Sequence, residues 1–163
     1  MTSTHHDPRH YDDDLSLKVP PMIWLTLVFL LRHLILLGIT FMPTTGQEIT
    51  LLREMIRPEY LLADLVALPV LVVALRRRPL APAWMRRLWP AGRTLLSLSA
   101  LVYLILLGRA TITADGPLTE TVNEGTLITA LLNLAVILYL RQSTLARDLF
   151  RDFPRPPRLN RPR

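Results

Sequence analysis

Four polar residues lie inside otherwise apolar stretches of this sequence, and their side chains could carry chemistry. Arg32 and His33 stand together in the middle of the first stretch, Asp64 lies in the second and Asn133 in the last. If these stretches cross a membrane, a charge at the bilayer centre costs about 2.5–3.5 kcal/mol on insertion scales unless another group compensates it. An ionisable residue at that depth is by default a candidate for handling an ion, a proton or a substrate.

We expect Arg32 and Asp64 to form an ion pair, because pairing neutralises two charges that are removed from water. On a helix, His33 points about 100° away from Arg32. Its candidate neighbours are Asn133, Tyr103 and Ser97. The pair is either part of a transport site or a lock between two helices. We favour the lock, because known transporters usually contain more crossings and internal repeats.

The motifs of common enzyme chemistry are missing from the sequence. It contains no GxSxG, no HExxH and no phosphate-cradling glycine loop. It contains no cysteine, which excludes disulfides and thiolate metal sites. Histidines and aspartates cluster in the first 14 residues, but their spacing fits no metal template and a chain tip is usually mobile. We therefore predict a non-enzymatic protein with no catalytic residues, no cofactor and no metal.

Four apolar segments must position the polar residues. The first, 24–42, is almost wholly apolar and about long enough for a bilayer core, which needs roughly 20 residues. The predicted spans are 21–42, 59–75, 93–109 and 125–141. A buried Asn133 is expected to hydrogen-bond a neighbouring helix. The predicted fold class is all-α, a polytopic membrane protein with four transmembrane helices in a bundle and short interfacial helices.

Polar segments flank and connect these spans. Residues 1–18 are predicted to be a polar cytoplasmic tail, 19–152 the membrane domain, and 153–163 a basic, proline-rich tail that is disordered because its prolines oppose helix formation. Leu145, Leu149 and Phe153 recur every four residues, which predicts that the fourth helix continues to about Asp152. Residues 48–57 have the pattern of a short helix on the membrane surface, with an ordered loop as the alternative.

The loop at 76–93 contains six arginines and two tryptophans. Trp84 and Trp89 fall on one side of a helical turn and Arg86 and Arg87 on the other, which is typical of a segment bound to lipid headgroups. With Trp24 they are the predicted interfacial anchors. The predicted partner is a bilayer with anionic headgroups. Protein partners and a homo-oligomer are further possibilities that the sequence does not decide between. Nucleic acid is not predicted, because no recognition fold accompanies the loop.

The basic residues are asymmetric about the four predicted spans. Fifteen of the 19 Lys and Arg residues precede the first span, lie between the second and third, or follow the fourth. Three lie on the other side, and Arg32 lies within a span. Because cytoplasmic loops carry an excess of Lys and Arg, both termini and the middle loop are predicted to be cytoplasmic.

The first 33 residues combine a tyrosine with three acids, a Lys-x-Pro motif, a tryptophan in the first turn of a span and an Arg-His pair. These residues are Tyr11, the aspartates at 12–14, Lys18, Pro20, Trp24, Arg32 and His33. This pattern resembles the start of the YfeZ-like family, small proteobacterial inner-membrane proteins classed as a domain of unknown function. The resemblance implies a multi-pass protein of the bacterial inner membrane with four spans, and it transfers no catalytic residues.

The predicted function is that of a non-enzymatic integral membrane protein of unknown specific role. An accessory or scaffolding subunit of an envelope complex is the leading role, because surface-binding features are abundant and catalytic motifs are missing. The alternative is a small oligomeric transporter or channel that uses the intramembrane cluster of Arg32, His33 and Asp64.

Overall fold

The computed structural model describes residues 18–41, 58–113 and 123–154, and within these ranges all regular structure is helical. The helices are α1 (Pro21–Leu30), α2 (Arg32–Thr40), α3 (Leu61–Leu75), α4 (Ala83–Leu88), α5 (Gly92–Ile112), α6 (Glu124–Gln142) and α7 (Thr144–Arg151). Short 3₁₀ turns at Pro58–Tyr60 and Trp89–Ala91 lead into α3 and α5. The predicted surface helix at 48–57 and most of both predicted tails lie outside the described residues.

Three stretches of the described chain are helical, long and apolar enough to cross a membrane: 58–75, 83–112 and 124–142. α1 and α2 together are a fourth candidate, bent by 63° at the break between them. The all-helical class is thus confirmed for the described residues. The predicted spans 59–75, 93–109 and 125–141 each coincide with a helix.

The predicted first span, 21–42, is not one helix. Leu31 has φ −99° and ψ 12°, and the chain turns there between α1 and α2. A new helix N-terminus therefore lies in the middle of an apolar stretch, with backbone N–H groups that lack acceptors within the helix. The break is possible because the neighbouring α3 supplies one of the missing acceptors.

The predicted continuation of the fourth helix to Asp152 is also wrong. The chain is extended at Ser143, with φ −68° and ψ 117°, and α6 ends before it. Oγ of Ser143 accepts the N–H of Ala146 at 3.1 Å, which makes Ser143 the N-cap of α7. This cap starts a separate helix that folds back onto the protein.

α3 and α5 form the centre of the molecule. α3 packs against α1, α2 and α5, and α5 packs in turn against α6. α6 lies at the edge of this arrangement. It packs chiefly on α5, and only 11% of the residues in its most apolar 18-residue stretch are buried. The side chains of the main core include Ile23, Leu27, Leu31, Ala67, Val70, Val73, Leu96, Ala100 and Leu140.

Candidate functional site: a buried Asp-His pair at a helix break

Asp64 is fully buried and is bound through both carboxylate oxygens. Oδ1 lies 3.2 Å from Nδ1 of His33, and Oδ2 accepts the backbone N–H of Leu34 at 2.9 Å. Both partners lie in the first turn of α2, whereas Asp64 lies in the first turn of α3. The carboxylate is therefore held at the N-terminal end of α2, where unpaired N–H groups and the helix dipole favour negative charge.

The break and the carboxylate depend on one another. In a continuous helix the N–H of Leu34 would bond the carbonyl four residues earlier, but here it bonds Asp64 instead. Regular helical bonding resumes with Ile35, whose N–H donates to the carbonyl of Leu31 at 2.9 Å. An unpaired N–H in hydrocarbon costs several kcal/mol, and Asp64 removes this cost for one of the N–H groups that the break releases.

His33 is buried against two tyrosine rings, which also contact one another. Its ring centroid lies 5.3 Å from that of Tyr60 and 5.6 Å from that of Tyr103, and the two tyrosine rings lie 4.6 Å apart. Nδ1 of His33 faces the carboxylate, so a proton on this nitrogen forms the hydrogen bond between the two side chains. Nε2 is then the ring nitrogen that remains for a second partner. The arrangement can hold or pass a proton between an imidazole and a carboxylate.

Arg32 does not pair with Asp64, and the predicted ion pair is wrong. Its guanidinium carbon lies 4.4 Å from the ring centroid of Phe29 and 4.2 Å from that of Tyr103. Nη1 donates to the carbonyl oxygen of Phe29 at 2.8 Å. The reason is competition: Asp64 already uses both oxygens on other groups of α2, and two π faces attract the cation instead. Nη2 is buried without a hydrogen-bond partner among the described residues.

Asn133 is fully buried but does not bond a neighbouring helix as predicted. Its Nδ2 donates to the carbonyl of Thr129 in α6 itself, at 2.8 Å, a local bond between residues four apart. Its Oδ1 is buried and has no partner in the described part of the chain. The interhelical bond comes from Ser99 instead, whose Oγ donates to the carbonyl of Ala63 at 2.8 Å. Ser99 thus ties α5 to α3 one residue before Asp64.

The aromatic residues of the site were mostly missed by sequence reasoning. Only Tyr103 was among the predicted neighbours of His33. Tyr60 precedes Asp64 by four residues, a spacing that places two side chains on one helical face, and this signal could have identified it. Ser97, another predicted neighbour, bonds the carbonyl of Arg93 in its own helix.

The predicted interfacial anchors differ in exposure. The exposed anchors are Arg86 and Arg87, and the Trp84 side chain is about half exposed. Trp24 is partly buried, whereas Trp89 is fully buried. Nε1 of Trp89 donates to the carbonyl of Leu149 at 2.8 Å. A lipid-facing role for Trp89 is therefore wrong, because α7 folds back over its ring.

Over the described residues these features define a class: a helical protein with three helices of membrane-spanning length and a buried Asp-His pair at the break between two shorter helices. The sequence matches the family described as protein of unknown function DUF2919 over residues 6–152. The chain belongs to that family. No curated protein and no solved structure matches it. The site and the surface of the molecule are therefore the features that bear on its function.

Proposed function

We propose that this protein is a multi-pass protein of the bacterial inner membrane, with four crossings and both termini in the cytoplasm. Three helices of spanning length and the bent pair α1–α2 support this proposal, as does the bias of the arginines to one side. Large apolar side chains also lie exposed along α6, which suits lipid or a partner better than water. They are Leu127, Ile128, Leu131, Leu132, Leu134 and Leu138. The narrower resemblance to YfeZ-like proteins stays a prediction.

Within the membrane we propose a non-enzymatic role, that of an accessory subunit that binds another protein through α6. The observation that supports this role is the small buried share of α6: only 11% of the residues in its most apolar 18-residue stretch are buried within the chain. Helices associate in membranes through close packing and interhelical hydrogen bonds. The long exposed side of α6 offers the area for such an association.

Affinity purification from mild detergent tests the subunit role. Leu131 is 64% exposed on α6, and Leu131→Trp is expected to reduce a co-purifying protein at least fivefold, because overpacking an interface costs about 1–3 kcal/mol. Ile105→Trp on α5 is the matched control, since Ile105 is 60% exposed, and it should retain the partner. A wild-type protein that purifies without a stoichiometric partner, or equal loss in both variants, refutes the role.

An oligomeric transporter or channel is the second candidate, and the break at Leu31 favours it. In many transporters, broken helices place half-helix ends at the ion or substrate site. Ionisable residues at such depth commonly form proton relays. Asp64 and His33 occupy such a position, with Nδ1 of the imidazole facing the carboxylate. The cargo that suits these two groups is a proton.

Proton flux into liposomes tests the second candidate. Purified protein is reconstituted with a pH-sensitive dye inside, and a potassium gradient with valinomycin supplies the driving force. The wild-type flux is expected to fall at least tenfold in Asp64→Asn and His33→Gln, because each removes one of the two side chains of the imidazole–carboxylate pair. Ser97→Ala is the control, since Ser97 bonds only its own helix. A wild-type flux no higher than that of empty vesicles excludes proton conduction.

A further inference from the structure

We infer that the layer formed by residues 76–93 and 140–154, here called the basic platform, binds the phosphate groups of anionic phospholipids. The inference rests on the proposed membrane location, and it specifies the lipid class that this end of the molecule takes. Three features support it: α7 is docked on the protein, two arginines join the segments of the layer, and its other arginines are exposed.

α7 is a docked part of the protein. The buried indole N–H of Trp89 donates to the carbonyl of Leu149 at 2.8 Å, and the Trp89 and Phe150 ring centroids lie 4.9 Å apart. Ala146, Leu149 and Phe150 are all buried. The apolar side of α7 is therefore occupied by protein, so its polar side forms the outer surface.

Two arginines join the separate segments of the basic platform. Nη2 of Arg77 donates to the carbonyl of Asp152 at 2.8 Å and lies 3.6 Å from its Oδ2. Nε and Nη2 of Arg93 donate to the carbonyls of Leu140 and Arg141 at 2.6 and 2.9 Å. The end of α3, the loop with α4, the end of α6 and α7 therefore belong to a single layer at one end of the helices.

The remaining arginines of the layer are exposed. These are Arg76, Arg78, Arg86, Arg87, Arg141, Arg147 and Arg151. The same segments contain only two acids, Asp148 and Asp152, and both are already engaged within the protein. The outer surface of the basic platform therefore carries an excess of guanidinium groups, which bind phosphate oxygens in bidentate geometry.

The position of the platform favours lipid phosphate over nucleic acid. It lies where α3 and α6 end and α5 begins, which is the level of headgroups for helices of spanning length. Leu80 is 88% exposed and Trp84 is 49% exposed beside the arginines. A ligand with both a phosphate and acyl chains satisfies the arginines and these apolar side chains together, and tryptophan is enriched at that level.

Lipid selectivity in reconstituted bilayers tests the inference. The full chain is placed in phosphatidylcholine bilayers, and spin-labelled phosphatidylglycerol and phosphatidylcholine report the association constant of each lipid. We expect a several-fold preference for phosphatidylglycerol that weakens in high salt. Arg86→Gln with Arg87→Gln should bring it close to equal association of the two lipids, because each arginine near the surface contributes up to roughly fivefold. Arg109→Gln removes an exposed arginine near the other end of α5 and should leave the preference unchanged.

A second pair of variants tests the docking of α7. Trp89→Phe removes the donor to Leu149 and should lower the preference, whereas Thr111→Val removes a local bond to the carbonyl of Leu107 near the other end of α5 and should not. Equal association of both lipids, or a preference that the two arginine substitutions leave unchanged, overturns the lipid inference but not the proposed membrane location. Failure to reconstitute into any bilayer overturns the proposed membrane location. Tighter binding of an RNA oligonucleotide than of phosphatidylglycerol at 0.15 M salt, roughly the physiological ionic strength, would overturn the inference in favour of nucleic acid.

Discussion

The carboxylate of Asp64 bonds two groups of α2: Nδ1 of His33 and the backbone N–H of Leu34. A buried carboxylate is tolerated when its oxygens are hydrogen-bonded, and here both are. Arg32 is accommodated differently, between the rings of Phe29 and Tyr103. The two opposite charges therefore occupy separate environments, although charge alone would pair them.

Double-mutant cycles distinguish these environments. Asp64→Asn combined with His33→Gln is expected to show a coupling of about 0.6–2 kcal/mol, because the two side chains share a hydrogen bond. Asp64→Asn combined with Arg32→Gln should be additive within about 0.5 kcal/mol, as for residues that share no partner. Reversible unfolding in mixed micelles measures both free energies. Coupling to Arg32 without coupling to His33 would contradict the observed pairing.

Among the elements, α7 is positioned by close contact at Gly92. A Cβ at this position would lie 2.5 and 2.8 Å from ring carbons of Phe150 and 3.3 Å from Cγ1 of Val70. Glycine at the start of α5 therefore lets the docked helix approach both α5 and α3. This contact fixes α7 in place along with the indole bond of Trp89.

Gly92→Ala is expected to displace α7. The added methyl group forces the buried Phe150 to shift, which should destabilise the protein by about 1–3 kcal/mol and raise amide hydrogen exchange over 144–151. Gly108→Ala is the control in the same helix, since its added methyl group would meet no neighbouring side chain of the described residues within 4 Å. It should be neutral or stabilise the helix by up to about 1 kcal/mol. Equal exchange in the two variants would show that α7 does not depend on this contact.

At the scale of the whole molecule, the exposed arginines of the basic platform lie at one end of the helices. α5 begins at the basic platform, and Thr113 follows its other end. This helix is long enough to cross a bilayer. The proposed orientation places the platform in the cytoplasm and Thr113 on the opposite side of the membrane.

Cysteine labelling tests this orientation directly, because the chain contains no cysteine. In intact spheroplasts, Thr113→Cys is expected to react with a membrane-impermeant maleimide. Arg151→Cys on α7 should react only after the membrane is permeabilised. A matched pair of permeabilised samples controls for burial of either thiol. Labelling of both positions from the same side would contradict the proposed topology.

The sequence by itself determined the helical class, the approximate bounds of three long helices and the four polar residues within the apolar stretches. These are local properties, since hydropathy and helix-breaking residues act along the chain. Only the tertiary structure decided the break at Leu31, the partner of Asp64 and the return of α7. No glycine or proline marks the break at Leu31. It persists because a carboxylate from another helix accepts the N–H that the break releases. Such a competition among distant groups for one acceptor leaves no periodic signal in the sequence.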